Sequence, residues 1–181
     1  MKQVNLYKKY KKEIVPEMMK DFGYKNIMQV PKLEKVTLNV GIGRHLKEAN
    51  YADMVEKNLY KITGQKPVRT KAKQSISNFK IREGMEVGLS VTLRGDKMYY
   101  FLEKLLSITF PRMRDFRGIS DKSFDKQGNF SFGFKENISF PEVDASEIDK
   151  THGLQVNVKT TARNREEGKA LLTKLGFPFV K

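Results

Sequence analysis

A basic tract without a single acid runs from Lys66 to Arg82. Its six cations are Lys66, Arg69, Lys71, Lys73, Lys80 and Arg82. Ser75, Ser77 and Asn78 lie among these cations and can hydrogen-bond phosphate or sugar oxygens, and Phe79 can stack or pack. A solvated basic surface usually carries interspersed Glu and Asp, so the absence of acids favours contact with a polyanion. The tract therefore predicts a nucleic-acid interface whose affinity falls steeply with salt.

Residue types suited to catalysis or metal binding are scarce. The chain has no cysteine, which excludes disulfides, thiolate metal sites and thiol nucleophiles. Its two histidines, His45 and His152, are far apart in sequence and have no motif of carboxylate partners. Gly41-Ile42-Gly43 begins like a dinucleotide-binding loop, but Leu46 stands where the third glycine is required, and no GxxxxGK sequence occurs. We expect no catalytic residue, no bound metal and no cofactor.

An acid-rich stretch, Glu136 to Asp149, is the one segment with clustered carboxylates. Its later acids are Glu142, Asp144, Glu147 and Asp149. Their spacing matches no calcium loop and no paired-metal motif. Two interpretations stay open: an exposed acidic loop, or a docking surface for a basic partner.

The charge balance limits the class of partner. The 181 residues include 35 Lys and Arg against 21 Asp and Glu, a formal charge of +14. That exceeds what solubility requires and favours nucleic acid. A membrane surface is the competing anion, but the sequence has no run of roughly 18 to 20 apolar residues and no signal-peptide core. We expect a soluble, cytosolic protein of one domain, residues 1–181, that uses neither a membrane nor a small-molecule substrate.

Helices are predicted where apolar residues recur every three or four positions. The three apolar stripes are Leu6, Tyr10 and Ile14; Ala52, Val55, Leu59 and Ile62; and Met98, Phe101, Leu102, Leu105 and Leu106. The first helix carries a basic outer face of Lys8, Lys9, Lys11 and Lys12. Pro16 should interrupt or kink that helix.

Helix boundaries are predicted from capping residues. Gly64 should close the second helix in a left-handed conformation, and Asp96 should cap the third, which should end before Pro111. A last helix should begin at Asn164, with Glu167 in capping-box position.

Strands are predicted where apolar and polar residues alternate. The apolar members are Val36, Leu38 and Val40; Val68; Val87, Leu89, Val91 and Leu93; and Leu154, Val156 and Val158. Phe130, Phe132 and Phe134 indicate another strand, and with Phe140 they should belong to the core. Helices and strands mix without strict alternation, so we predict an α+β fold, an antiparallel sheet with helices packed on one face. The opposite, polar face would be free for RNA and would collect Thr37, Asn39, Gln65, Arg69, Lys71, Ser90, Thr92, Arg94, Gln155, Asn157 and Lys159.

Several segments together resemble the large-subunit ribosomal protein L-five family, which binds 5S rRNA. They are LYKITGQKPVRTKAKQS from Leu59, QVPKLEKVTLNVGIG from Gln29, NFKIREG from Asn78, VTLRG from Val91, PRMRDFRGIS from Pro111 and GNFSFGFKENISFPE from Gly128. With the closing GFPF from Gly176, they span most of the chain and resemble the bacterial form of the family.

The resemblance implies a structural, non-enzymatic part of the large ribosomal subunit in the cytoplasm. In that family the concave polar face of the sheet binds 5S rRNA and helps dock it in the central protuberance, beside large-subunit rRNA. The residues that match recurrent RNA contacts are Asn39, Gln65 and Thr92. With their neighbours on the same face, the predicted 5S rRNA site comprises Thr37, Asn39, Gln65, Arg69, Lys71, Ser90, Thr92 and Arg94.

The resemblance implies two further contacts. A long basic loop, about Lys73 to Gly84, would reach the peptidyl-site tRNA through Lys73, Gln74, Ser75, Ser77, Asn78, Lys80 and Arg82. An inter-subunit bridge would face the small-subunit head, where small-subunit ribosomal protein thirteen is the expected partner. Its predicted residues are Arg112, Arg114, Asp115, Arg117, Glu136, Glu142 and Asp144.

Two other functions stay open on the sequence alone. A free RNA chaperone or translation regulator would use the same basic face, but it would not co-migrate stoichiometrically with large subunits. A metal-dependent nuclease or RNA-modifying enzyme would need clustered carboxylates, a nucleophile or a cofactor loop, and the sequence offers none of these in a recognisable motif.

Overall fold

The computed structural model describes residues 5–46, 48, 50–113, 116–143 and 151–180. The α-helices are α1 (Asn5–Lys9), α2 (Val15–Phe22), α3 (Tyr51–Thr63), α4 (Gly95–Lys104), α5 (Phe110–Arg112) and α6 (Arg165–Leu175). The strands are β1 (Leu33–Gly41), β2 (Val68–Lys71), β3 (Glu86–Leu93), β4 (Phe130–Phe134) and β5 (Leu154–Thr160).

The five strands form one sheet in the order β2-β3-β1-β5-β4, with β2 antiparallel to β3. The α+β class with an antiparallel sheet is thereby confirmed. The predicted apolar residues of the three central strands are buried, with one exception: Val36, Leu38 and Val40 on β1, Leu89, Val91 and Leu93 on β3, and Leu154, Val156 and Val158 on β5. Val87 at the start of β3 is only half-buried, and its neighbour Gly88 is buried instead. The other nine follow the alternation, because a strand with one buried face repeats every two residues.

The chain divides into two compact units, each assembled from separate segments. Unit 1 contains Met1–Val36, Leu93–Phe132 and Asn157–Lys181, and unit 2 contains Thr37–Thr92 and Gly133–Val156. Unit 1 has an aromatic core in which Phe130 lies against Phe124 and Phe177, with ring centroids 4.5 and 6.2 Å apart. In unit 2, Val55, Leu59 and Ile62 of α3 are buried. The expectation of a single domain stays a prediction.

Two prolines do not end their helices. Pro16 does not interrupt the helix, since a π-helical turn at Tyr10–Ile14 joins α1 directly to α2, which contains Pro16. The same arrangement recurs at Leu105–Thr109, so the helix runs past Pro111 to Arg112. A proline cannot donate the usual helical hydrogen bond and its ring crowds the carbonyl four residues earlier, and the wider π turn accommodates both effects.

The capping predictions have mixed outcomes. Gly64 closes α3 as predicted, with φ of 64° and its N–H donating to the Tyr60 carbonyl at 2.8 Å. Asp96 is not the cap of α4, because the helix begins one residue earlier and Asp96 lies in its first turn. Asn164 is the N-terminal cap residue of α6 but makes no side-chain capping bond, and Glu167 accepts instead from the Arg163 N–H at 2.9 Å.

The phenylalanines predicted to be core residues are largely buried. Phe130, Phe134 and Phe140 are buried, which confirms the prediction for these three. Phe132 is half-buried and packs against Phe130 with ring centroids 5.5 Å apart. These rings contribute packing to the two cores.

Candidate nucleic-acid interface

The polar face predicted for β1 and β3 is present in unit 2. Thr37 and Asn39 alternate with buried residues of β1, and Ser90 and Thr92 do the same on the neighbouring strand β3. Asn39 is exposed, whereas the three hydroxyl residues are half-buried. The Ser90 hydroxyl donates to the Leu38 carbonyl at 3.2 Å, which fixes its position while its oxygen lone pairs stay available. The strands thus present one amide and three hydroxyls on one surface.

Gln65 joins this surface from the end of α3. Its Nε2 donates to the Thr92 carbonyl at 3.2 Å. Its backbone is tied to the helix end, because the Gln65 N–H donates to Thr63 Oγ1 at 3.2 Å. One amide hydrogen is used, and the side-chain oxygen and second hydrogen make no bond within the described residues. The structure therefore brings Gln65 beside Thr92, as the predicted site requires.

The predicted orientation of β2 is wrong. Val68 was expected to face the helices, yet it is 68% exposed. It pairs with Ser90, and Arg69 pairs with Leu89, so Arg69 and not Val68 lies on the buried side of the sheet. β2 is a short edge strand, and a one-residue error in phase exchanges the two faces completely. The register shifts between Thr70 and Lys71, after which Lys71 is exposed.

Three carboxylates surround the Arg69 guanidinium, and we call this group the Arg69 cluster. Arg69 Nε donates to Glu56 Oε2 at 2.7 Å and Nη1 to Glu86 Oε2 at 3.1 Å, while Nη2 is bonded to Asp53. These bonds, chiefly the one to Glu56, raise the pKa of Arg69 above its ordinary value. Lys66 Nζ lies 3.6 Å from Glu56 Oε1 at the same cluster. The charge of Arg69 is balanced locally, so its main task is to hold β2 against α3, and direct contact with RNA stays a prediction.

Replacing Arg69 with methionine should lower the thermal midpoint of unfolding and leave the preference for cognate RNA unchanged. Methionine fills similar volume but removes the cation that all three carboxylates share, and leaves only the exposed Lys66 beside Glu56. Lys71→Met is the matched control, because it removes the same charge from the same strand at an exposed position. Thermal denaturation of both variants should show a lower midpoint for Arg69→Met alone. An unchanged midpoint together with weaker RNA binding would instead assign Arg69 to the RNA interface.

Arg94, the remaining residue of the predicted 5S rRNA site, is exposed immediately after β3 and belongs to unit 1. Its charge helps to lower the pKa of Glu34, although the hydrogen bond from Lys159 is the larger cause. Lys159 Nζ lies 3.0 Å from Glu34 Oε2, so this lysine of the predicted polar face is partly neutralised.

The basic loop between β2 and β3 is a closed hairpin. Ala72 and Gly84 continue the strand pairing through bonds of 2.8 Å from Ala72 N to Met85 O and 3.0 Å from Gly84 N to Ala72 O. Ile76 and Ile81 exchange two backbone hydrogen bonds of 2.9 and 3.2 Å. The tip is a 3-10 turn at Ser77–Phe79, closed by Lys80 with φ of 55°. The predicted contact residues of this loop are all exposed: Lys73, Gln74, Ser75, Ser77, Asn78, Lys80 and Arg82.

Two apolar residues of the hairpin, Ile76 and Phe79, are absent from the predicted tRNA contacts, although Phe79 was named as a residue of the basic tract that can stack or pack. Phe79 at the tip is 70% exposed and Ile76 is 44% exposed. An aromatic ring held at the end of a basic hairpin can stack on an unpaired base. The sequence signal was present, because both residues interrupt an otherwise polar segment.

The predicted bridge residues lie partly outside the described structure. Arg112 and Arg117 are exposed in unit 1. In unit 2, Glu136 is exposed and Glu142 is half-buried. Arg114, Asp115 and Asp144 lie outside the described residues.

The two histidines lie in different surroundings. His152 is buried, and desolvation lowers its pKa. His45 Nδ1 lies 3.2 Å from Glu48 Oε1 near the surface. Within the described ranges, no group of three His, Asp or Glu side chains is placed to hold a metal ion. Over the same ranges, every helix is too short or too polar to cross a membrane.

Comparison with known proteins identifies the family. Residues 26–82 match the model of ribosomal protein L5, and residues 86–179 match the model of the C-terminus of the same ribosomal protein family. The large ribosomal subunit protein uL5 of Geotalea daltonii is 54% identical over 170 residues, which cover 94% of this chain and 95% of that protein. The uL5 proteins of Caldanaerobacter subterraneus and Acholeplasma laidlawii are 53% and 52% identical, covering 97% and 95% of this chain and 98% and 96% of theirs. The chain with this polar sheet face and basic hairpin therefore belongs to the uL5 family of large ribosomal subunit proteins.

Proposed function

We propose that this protein, a non-enzymatic structural constituent of the large ribosomal subunit, binds 5S rRNA through the polar face of β1 and β3. The observation that carries the proposal is the position of Gln65, whose amide is bonded to Thr92 on the strand beside Asn39. Amides and hydroxyls held on a sheet can hydrogen-bond particular sugar hydroxyls and base edges, whereas a lysine on a flexible stem contributes chiefly charge. Membership of the uL5 family already implies that the protein is associated with rRNA in the cytoplasmic ribosome.

The contacts are divided between selection and attraction. Asn39, Gln65 and the hydroxyls of Thr37, Ser90 and Thr92 would select the RNA, and exposed Lys71 and Arg94 would attract its phosphates. Bound in this way, 5S rRNA would be held for docking in the central protuberance. Arg69 would contribute indirectly, by fixing the edge strand that carries Lys71.

A binding measurement tests the 5S proposal directly. The protein should bind 5S rRNA at least about tenfold more tightly than a scrambled RNA of equal length and composition at moderate salt, because selective polar contacts add to non-specific attraction. Equal affinities for 5S rRNA and the scrambled RNA would contradict the proposal. A free translation regulator using the same face would be distinguished by its failure to co-sediment stoichiometrically with large subunits.

The hairpin at 72–85 would contact the peptidyl-site tRNA. Its closed backbone and exposed cations support this role, since the loop can extend from the sheet without losing its shape. Two variants distinguish this contact from 5S binding: Asn39→Asp should weaken binding of 5S rRNA, whereas Asn78→Asp should weaken retention of peptidyl-site tRNA.

The exposed residues Arg112, Arg117 and Glu136 would form part of a bridge to the small-subunit head, with small-subunit ribosomal protein thirteen as partner. The proposal is supported by the exposure and charge of these three side chains, because exposed charged groups suit a reversible interface between subunits. A photo-crosslinker at Arg117 in intact ribosomes should yield an adduct with a small-subunit component. Adducts confined to the large subunit would contradict the bridge.

A further inference from the structure

Gln65, whose position carries the proposal for 5S binding, lies outside the helices and strands. It belongs to the short connection 64–67 between α3 and β2. A half-buried glutamine on such a connection has many accessible backbone and side-chain conformations, and only some of them place its amide beside Thr92. The position of Gln65 therefore depends on contacts outside the regular secondary structure.

The hydroxyl of Thr63, the last residue of α3, holds the backbone of Gln65. Thr63 Oγ1 accepts from the Gln65 N–H at 3.2 Å. The hydroxyl hydrogen can reach the Leu59 carbonyl at 2.7 Å or the Gln65 carbonyl at 3.1 Å. The shorter contact is the usual bond of a helical threonine to the carbonyl four residues earlier. One hydroxyl thus joins the last turn of α3 to Gln65.

The left-handed backbone of Gly64 makes this arrangement possible. With φ of 64°, Gly64 turns the chain at the end of α3, and its N–H donates to the Tyr60 carbonyl at 2.8 Å. The turn brings the Gln65 N–H within reach of the Thr63 side chain, only two residues earlier. The helix end is closed by one backbone bond and one side-chain bond, and the second of these is the one that holds Gln65.

Gln65 is held at two points that belong to different elements. Its N–H is bonded to Thr63 on α3, and its Nε2 is bonded to the Thr92 carbonyl on β3 at 3.2 Å. All three residues lie in unit 2, as does Asn39 of the polar face. Because the Thr63 hydroxyl bonds the backbone of α3 and of Gln65, we expect it to influence RNA binding through Gln65.

We propose that Thr63 is a positioning residue for 5S rRNA recognition, and that its hydroxyl holds Gln65 in the conformation that binds the RNA. The inference rests on the proposed function, since it concerns the same polar face. Fixing Gln65 before binding removes the entropy cost of ordering the connection 64–67 when the RNA binds. The hydroxyl therefore increases the affinity for 5S rRNA and leaves unchanged the attraction of the basic residues to RNA of any sequence.

The first test compares Thr63→Val with Thr63→Ser in the full-length protein. Valine has the shape of threonine without the hydroxyl, whereas serine keeps the hydroxyl. Thr63→Val should bind 5S rRNA about fivefold more weakly, because one positioning hydrogen bond is lost, and should bind a scrambled RNA of equal length as tightly as before. Thr63→Ser should stay within about twofold of the natural protein for both RNAs. An undiminished preference for 5S rRNA in Thr63→Val, or an equal loss in both variants, would overturn the proposal.

A double-mutant cycle shows whether the hydroxyl acts through Gln65. In the Gln65→Ala background, Thr63→Val should cause no further loss of 5S affinity, because the side chain that Thr63 positions is absent. The same loss in both backgrounds would mean that Thr63 acts on the fold in general and does not position Gln65.

Amide hydrogen exchange in the RNA-free protein keeps the positioning of Gln65 separate from the proposed function. The Gln65 amide should exchange at least about fivefold faster in Thr63→Val than in the natural protein or in Thr63→Ser. The Gly64 amide, which is bonded to the Tyr60 carbonyl, should change by less than about twofold. Unchanged exchange at Gln65 in Thr63→Val would refute the positioning by Thr63, whereas full 5S affinity of Gln65→Ala would refute the proposed function.

Discussion

Replacing Asn39 with aspartate should weaken 5S rRNA binding about 100-fold and leave the thermal midpoint of unfolding nearly unchanged. Aspartate has the same shape, but it loses the amide donor and adds a negative charge on the exposed face of β1. An unsatisfied polar partner costs roughly 1 to 3 kcal/mol, and repulsion from phosphates adds to this. Because every 1.4 kcal/mol is about tenfold in affinity, a combined loss near 100-fold follows.

Asn78→Asp is the matched control, because it makes the same change of charge at an exposed position of the hairpin. Its affinity for 5S rRNA should stay within about twofold of the natural protein, since its nearest expected partner is a different RNA. Ribosomes reconstituted with it should hold peptidyl-site tRNA less tightly. The measurements are dissociation constants for 5S and scrambled RNA at fixed salt, and tRNA retention. Equal loss of 5S affinity in both variants would show that charge, and not position, governs binding.

The polar face was predictable from the sequence because long strands with one buried side repeat regularly. β1 has nine residues and β3 has eight, so each contains several alternating apolar residues, and together these determine which face is buried. β2 has only four residues and lies at the edge of the sheet. Its buried face was therefore predicted from Val68 alone, and that prediction was wrong because Val68 is exposed. The residues that decide the phase, Asp53, Glu56 and Glu86, are tertiary neighbours of Arg69. A single sequence gives no signal for such contacts.

The tract from Lys66 to Arg82 contains three structural environments that its charge could not distinguish. Arg69 belongs to an ion-pair cluster, Lys71 is exposed after a shift in register, and the remainder forms a hairpin closed by Ile76 and Ile81. Charge predicts attraction to a polyanion, but burial and pairing determine which cations are free to attract it. The first helix shows the opposite case, because Lys8, Lys9 and Lys12 are exposed, as its apolar stripe predicted, and form no ion pair within the described residues.

Replacing Gly168 with alanine should destabilise unit 1 strongly, although the same change in an open helix stabilises it. Gly168 lies inside α6, where alanine is favoured over glycine by about 1 kcal/mol. However, a Cβ at Gly168 would collide with the Gly128 carbonyl oxygen and would lie 2.6 Å from the Gly128 Cα. The obstacle is backbone and cannot rotate away. Gly128 is itself constrained, with φ of 76° and its carbonyl accepting from Thr160 Oγ1 at 3.0 Å.

The alanine must therefore displace α6 from the turn at Gly128, an overpacking cost of roughly 3 kcal/mol. For a chain of this size such a loss lowers the thermal midpoint by about 6 to 12 °C. Gly43→Ala is the control, because a Cβ there meets nothing within 4 Å and the backbone is not left-handed. Thermal denaturation should show no loss for the control. A midpoint for Gly168→Ala at or above that of the natural protein would mean that helix propensity outweighs the contact and that α6 does not approach Gly128 so closely.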